Sequence, residues 1–105
     1  MRFRARARFG EVIDRQLDLF AREHRDVIEE SDAKLRLYND AERDEAEELY
    51  GDYVDAVETG TEILADLRDN FAQTLGESEV DRYLADFNRA VTRRLPQYAL
   101  EIENR

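Results

Sequence analysis

The chain has 105 residues, the size of one domain, and its 42% hydrophobic residues include five tyrosines and five phenylalanines, enough for a modest core rather than a disordered tail. The formal net charge is −10, from 26 acidic against 16 basic side chains, and Lys34 is the single lysine. Without cysteine there are no disulfides, thiolate metal sites or cysteine nucleophiles; without an apolar run longer than three residues there is no membrane span and no apolar core of a secretory signal, so a cytoplasmic location is expected.

The chain opens with MRFRARARF, in which Arg2, Arg4, Arg6 and Arg8 alternate with apolar residues. These four arginines leave the rest of the chain to carry −14. A period of two suits an extended segment, with arginines on one side and Phe3, Ala5, Ala7 and Phe9 on the other. Residues 1–9 are therefore expected to form a basic arm, the candidate site for a partner or an anion. Docking on an acidic face, of its own bundle or of a neighbouring subunit, competes with simple solvation of the arm. Phosphate binding ranks behind both. Ribbon-helix-helix repressors present alternating side chains from such a strand, but two short helices follow it there, and here about eight helical turns do. The acidic remainder of the chain also opposes binding to a polyanion.

From Phe9, apolar residues recur at helical spacing through Val12, Ile13, Leu17, Phe20, Val27, Ile28, Leu35 and Tyr38, with His24 and Ser31 in the same stripe. This pattern predicts one helix over about 10–39. Continuing the stripe would bury Glu42 and Glu45, so the chain must turn there, and Asn39 with Glu42 has the form of a capping box.

A second helix is expected over about 41–75. Its seam of Ala46, Tyr50, Tyr53, Val57, Gly60, Leu64, Leu67, Phe71 and Thr74 alternates steps of three and four, as coiled-coil packing requires. Gly51 and Gly60 lie inside it at about 1 kcal/mol each relative to alanine. Gly60 falls on the seam, where a missing side chain lets another helix come close; the competing reading is a break there, since Thr59 and Glu62 also form a capping-box pattern, and the unchanged phase of the seam puts the continuous helix ahead.

Gly76 reads as a left-handed helix end and Ser78 as the start of a third helix over about 78–95, striped by Val80, Leu84, Phe87, Val91, Leu95, Tyr98 and Ile102. Pro96 should end or kink that helix near Arg94, with a last helical extension to about 103.

His24 is the single histidine. Its helix neighbours are Phe20, Ala21, Val27 and Ile28, so the Glu-x-x-His pair of ferritin-like di-iron helices is absent. It is expected to be a core polar residue, satisfied by Glu58 or Thr61. Glu42, Glu45 and Glu48 with Asp66 and Asp69 resemble the carboxylate sets of all-helical nucleotide pyrophosphatases. Pairs so far apart on one helix sit ~30 Å from each other, so they would share a metal only through another subunit. No nucleophile has an assembled base, and no glycine-rich loop cradles phosphate.

The sequence thus predicts an all-α protein, an antiparallel three-helix bundle built on a long helical hairpin, with residues 10–105 as one domain. Adjacent apolar pairs such as Leu49 with Tyr50 make the stripes wider than a two-helix pairing needs. Self-association or a protein partner is therefore expected, with no cofactor, no metal and no membrane. The expected role is a non-catalytic interaction or assembly module. The alternatives are a nucleic-acid-associated regulator using Arg2–Arg8 and a carboxylate metal-dependent enzyme formed between subunits.

Overall fold

The computed structural model describes residues 9–105, whose regular elements are all helical, with no strand among them. Helices α1 (Gly10–Glu23), α2 (Arg25–Asn39), α3 (Ala46–Ala72) and α4 (Glu77–Arg94) are followed by a 3-10 turn (Pro96–Tyr98) and a short α5 (Ala99–Glu103). The molecule is elongated, 52 × 24 × 23 Å. Residues 1–8, and with them the basic arm, lie outside the described residues.

The single helix expected over 10–39 is broken at His24, whose backbone leaves the helical region (φ −123°, ψ 36°). Both backbone groups of His24 remain bonded across the break. His24 N–H donates to Phe20 O at 2.8 Å, and its carbonyl accepts from Val27 at 3.0 Å and Ile28 at 3.2 Å. The reason is a change of partner: α1 packs on α4, whereas α2 lies along α3. One straight rod cannot aim both stripes correctly. Histidine, a weak helix former, sits at the joint with its ring 5.6 Å from that of Phe20.

Helix α3 starts at Ala46 rather than near 41, and its N-cap makes no side-chain hydrogen bond. Residues 42–45 are all charged and exposed, so nothing in them favours burial over a turn. Short backbone bonds close the connection, Ala41 N–H to Tyr38 O at 3.1 Å and Glu45 N–H to Glu42 O at 2.9 Å. From Ala46 onward the helix runs unbroken through Gly51 and Gly60.

Gly76 is not left-handed. Its φ of −73° and ψ of 161° make it the extended N-cap of α4, where its carbonyl accepts from Glu79 and Val80, and this displaces Ser78 from the expected cap. At the other end α4 stops at Arg94, and Pro96 opens the 3-10 turn, where its missing N–H costs nothing.

The core is concentrated at one end. It joins Phe9, Ile13, Leu17 and Phe20 to Val57, Leu64 and Ala65, and to Tyr83, Phe87, Ala90, Val91, Tyr98 and Ile102. Tyr83 meets Phe71 at 4.9 Å and Phe9 at 5.5 Å between ring centroids.

Gly60 allows the close approach of a tyrosine ring rather than of a helix. A Cβ there would lie 2.5 Å from the Tyr98 ring, whereas one at Gly51 would meet nothing within 4 Å. Gly60→Ala should therefore destabilise the fold by about 1–3 kcal/mol through overpacking. Gly51→Ala should stabilise it by about 0.5–1 kcal/mol through helix propensity. Urea denaturation of the two variants measures the opposite signs; a Gly60→Ala variant as stable as the parent would contradict the packing described.

Candidate interaction surface

Two polar anchors hold the C-terminal segment and define which surfaces it covers, and a third fixes α4 on α1. Ser31 Oγ donates to Ile28 O at 3.0 Å, which leaves its oxygen to accept from the Tyr98 hydroxyl, also at 3.0 Å. Arg68 is buried on α3, where Nη1 donates to Ile102 O at 3.1 Å and Asn88 Oδ1 at 3.0 Å, and Nε to Asp69 Oδ1 at 2.8 Å. The Tyr83 hydroxyl donates to Gln16 Oε1 at 2.9 Å and ties α4 to α1. Among the described residues no buried side-chain polar atom lacks a partner. Arg68 falls one turn beyond Leu64 on the α3 stripe, the one signal in the sequence that sets it apart from the solvated arginines.

Burial raises the pKa of both tyrosines. Tyr83 is pushed up to about 12, with the Gln16 hydrogen bond opposing in part, and Tyr98 is raised with Ser31 opposing. Beyond these anchors, residues 32–55 contain no buried side chain at all. This stretch is the outer part of α2, the turn and the first third of α3. It projects as a two-helix arm carrying Leu35, Tyr38, Leu49 and Tyr53 half-buried, with Leu37 51% and Tyr50 50% exposed. The Tyr50 ring lies 5.2 Å from Tyr38 and 6.4 Å from Tyr53, so the three rings form a ladder across the helix pair.

The arm is also acidic: Asp32, Asp40, Glu42, Asp44, Glu45, Glu47, Glu48, Asp52 and Asp55 face only Lys34, Arg36 and Arg43, a net charge of −6. At its base an open groove of about 570 Å³ is lined by Asp26, Glu30, Asp52 and Asp55, with Lys34 bridging to Glu30 at 3.7 Å. Such a surface attracts cations and basic side chains and repels polyanions.

The other sequence-derived candidates are dispersed. His24 is half-buried at the helix break, beside Glu23, Asp66 and Asn70, rather than in the core. Neither expected partner satisfies it: Glu58 is exposed, and the Thr61 hydroxyl donates to Val57 O at 2.8 Å. Glu42, Glu45, Glu48, Asp66 and Asp69 are all exposed, and Asp69 is engaged by Arg68. Among the described residues no three His, Asp or Glu side chains are grouped to hold a metal ion, and no helix is long and apolar enough to cross a membrane. No protein-family model, curated protein or solved structure matches the chain.

Two consequences are measurable. Arg68→Ala strands the Ile102 carbonyl and Asn88, and should cost about 2–3 kcal/mol while raising amide exchange in α5. Both raised tyrosine pKa values favour the neutral folded form, so this contribution to stability is intact below pH 10 and is lost as the pH rises toward 12. Denaturation between pH 9 and 12 should show that decline, and Tyr83→Phe should make it shallower.

Proposed function

We propose that the chain is a cytoplasmic, non-catalytic interaction or assembly module. In this reading it is an antiparallel three-helix bundle built on a long helical hairpin, and the outer part of the hairpin is the contact surface. One observation carries the proposal: residues 32–55 present a tyrosine ladder and three leucines, and none of these is buried among the described residues. A two-helix pairing without a third layer stays marginal in water, and covering its apolar strip adds the missing burial. A coiled-coil-like seam at Tyr50 and Tyr53 with exposed width to spare suits a second copy or a protein partner. The charge favours a basic partner surface and disfavours a nucleic acid.

A photocrosslinking residue at position 50 tests the proposal against the same residue at Asp81, which is exposed on α4. Position 50 should give a protein adduct several-fold above position 81, between copies in the purified chain or with another protein in cells of the source organism. Equal, background crosslinking at both positions in both settings would overturn it.

A further inference from the structure

We propose that the occupant of the arm is residues 2–8 of a second copy of this chain, exchanged reciprocally in a side-by-side pair. The inference rests on the reading of the arm as a contact surface and names what covers it.

The chemistry of the arm restricts its occupant. A tyrosine ladder rimmed by acids, at net −6, calls for a segment that is both basic and apolar. Two arms packed on each other would bring like charges together, which opposes a tip-to-tip pairing. Residues 2–8 have the complementary pattern, four arginines interleaved with Phe3, Ala5 and Ala7. Laid out with a period of two, one side meets the rings while the other reaches the carboxylates. Arginine also stacks on tyrosine faces, so even the charged side suits this surface.

Reach decides between the chain's own arm and another's. Phe9 is buried against Tyr83 at the core end, which fixes where residues 2–8 depart. Seven residues span at most about 25 Å when fully extended. Phe71 packs on the same Tyr83 ring as Phe9, and Tyr50 lies 21 residues from Phe71 along the unbroken α3, ~32 Å at 1.5 Å per residue. The segment therefore stops short of its own ladder. Two elongated copies lying side by side in opposite directions place the core end of each beside the arm of the other. A two-fold axis then fills both sites at once and closes the assembly.

The test is light-scattering mass and dissociation constant for four samples: the full chain, a chain beginning at Phe9, the variant Tyr50→Lys, and an equal mixture of the last two. The full chain should be a dimer at 50 mM salt, with a dissociation constant at least tenfold weaker at 500 mM, because the rim contacts are screened. The shortened chain and Tyr50→Lys should each be monomeric with unchanged thermal unfolding. Their mixture should pair, weakly and one-to-one, since one supplies an intact arm and the other an intact basic segment. A shortened chain as dimeric as the parent, or a full chain monomeric at both salts, would overturn the inference. A mixture that stays monomeric while the full chain dimerises would also overturn it. Crosslinking from position 50 reads out separately: adducts that persist without residues 2–8 leave the arm a contact surface with a different occupant.

Discussion

Tyr98 reaches the interior because Gly60 has no side chain and because Ser31 offers the hydroxyl a partner there. Three segments far apart in sequence meet at that one ring, and each supplies something the others lack. The glycine gives room, the serine gives a hydrogen bond, and Pro96 turns the chain so that the tyrosine points inward. Burial of a tyrosine is favourable only if its polar end is satisfied, so the contact constrains which registers of α2 and α3 are possible. Arg68 extends the same constraint to Ile102. The C-terminal segment thus lies over the inner part of the helix pair and leaves the outer part bare.

That division organises the surface. The end of the molecule holding the core has aromatic contacts, satisfied polar groups and a mixture of charges, with Arg94 reaching Asp18 at 2.7 Å. The projecting end has half-buried leucines and tyrosines under a rim of carboxylates. Stability resides in the first, and the second is the region with unspent apolar surface. The bend at His24 connects them, since it allows α1 to serve the core while α2 serves the arm.

Much of this is legible in the sequence, and the parts that are not share a cause. The α3 seam persists through Gly60 because its phase is the same on both sides, and the end of α4 at Arg94 follows from the proline. The bend at His24 is hidden because the apolar stripe keeps its period across a change of partner. The capping pattern at Asn39 and Glu42 is present but unused, since a run of charged residues with nothing to bury turns earlier than the helix resumes. Gly76 adopts an extended conformation open to any residue, so its identity alone does not report its geometry. Arg68 looks like one more surface charge until Ile102, 34 residues later, brings a carbonyl to it. Excess stripe width is visible in pairs such as Leu49 with Tyr50. Which stretch stays uncovered depends on where the C-terminal segment docks, and no local pattern states that.

The separation between Ser31 and Tyr98, 67 residues, bears on how the molecule comes to be made. The α2 and α3 helices are joined by a short turn, and their pairing is a local event of low contact order. The ring that locks their register arrives much later in synthesis. Until residues 98–102 emerge from the ribosome, the space beside Gly60 is empty and Arg68 has no carbonyl to hold. The nascent chain therefore passes through a stage in which its inner helix faces are as bare as its outer ones, and closure of the C-terminal segment is the step that covers the inner faces alone.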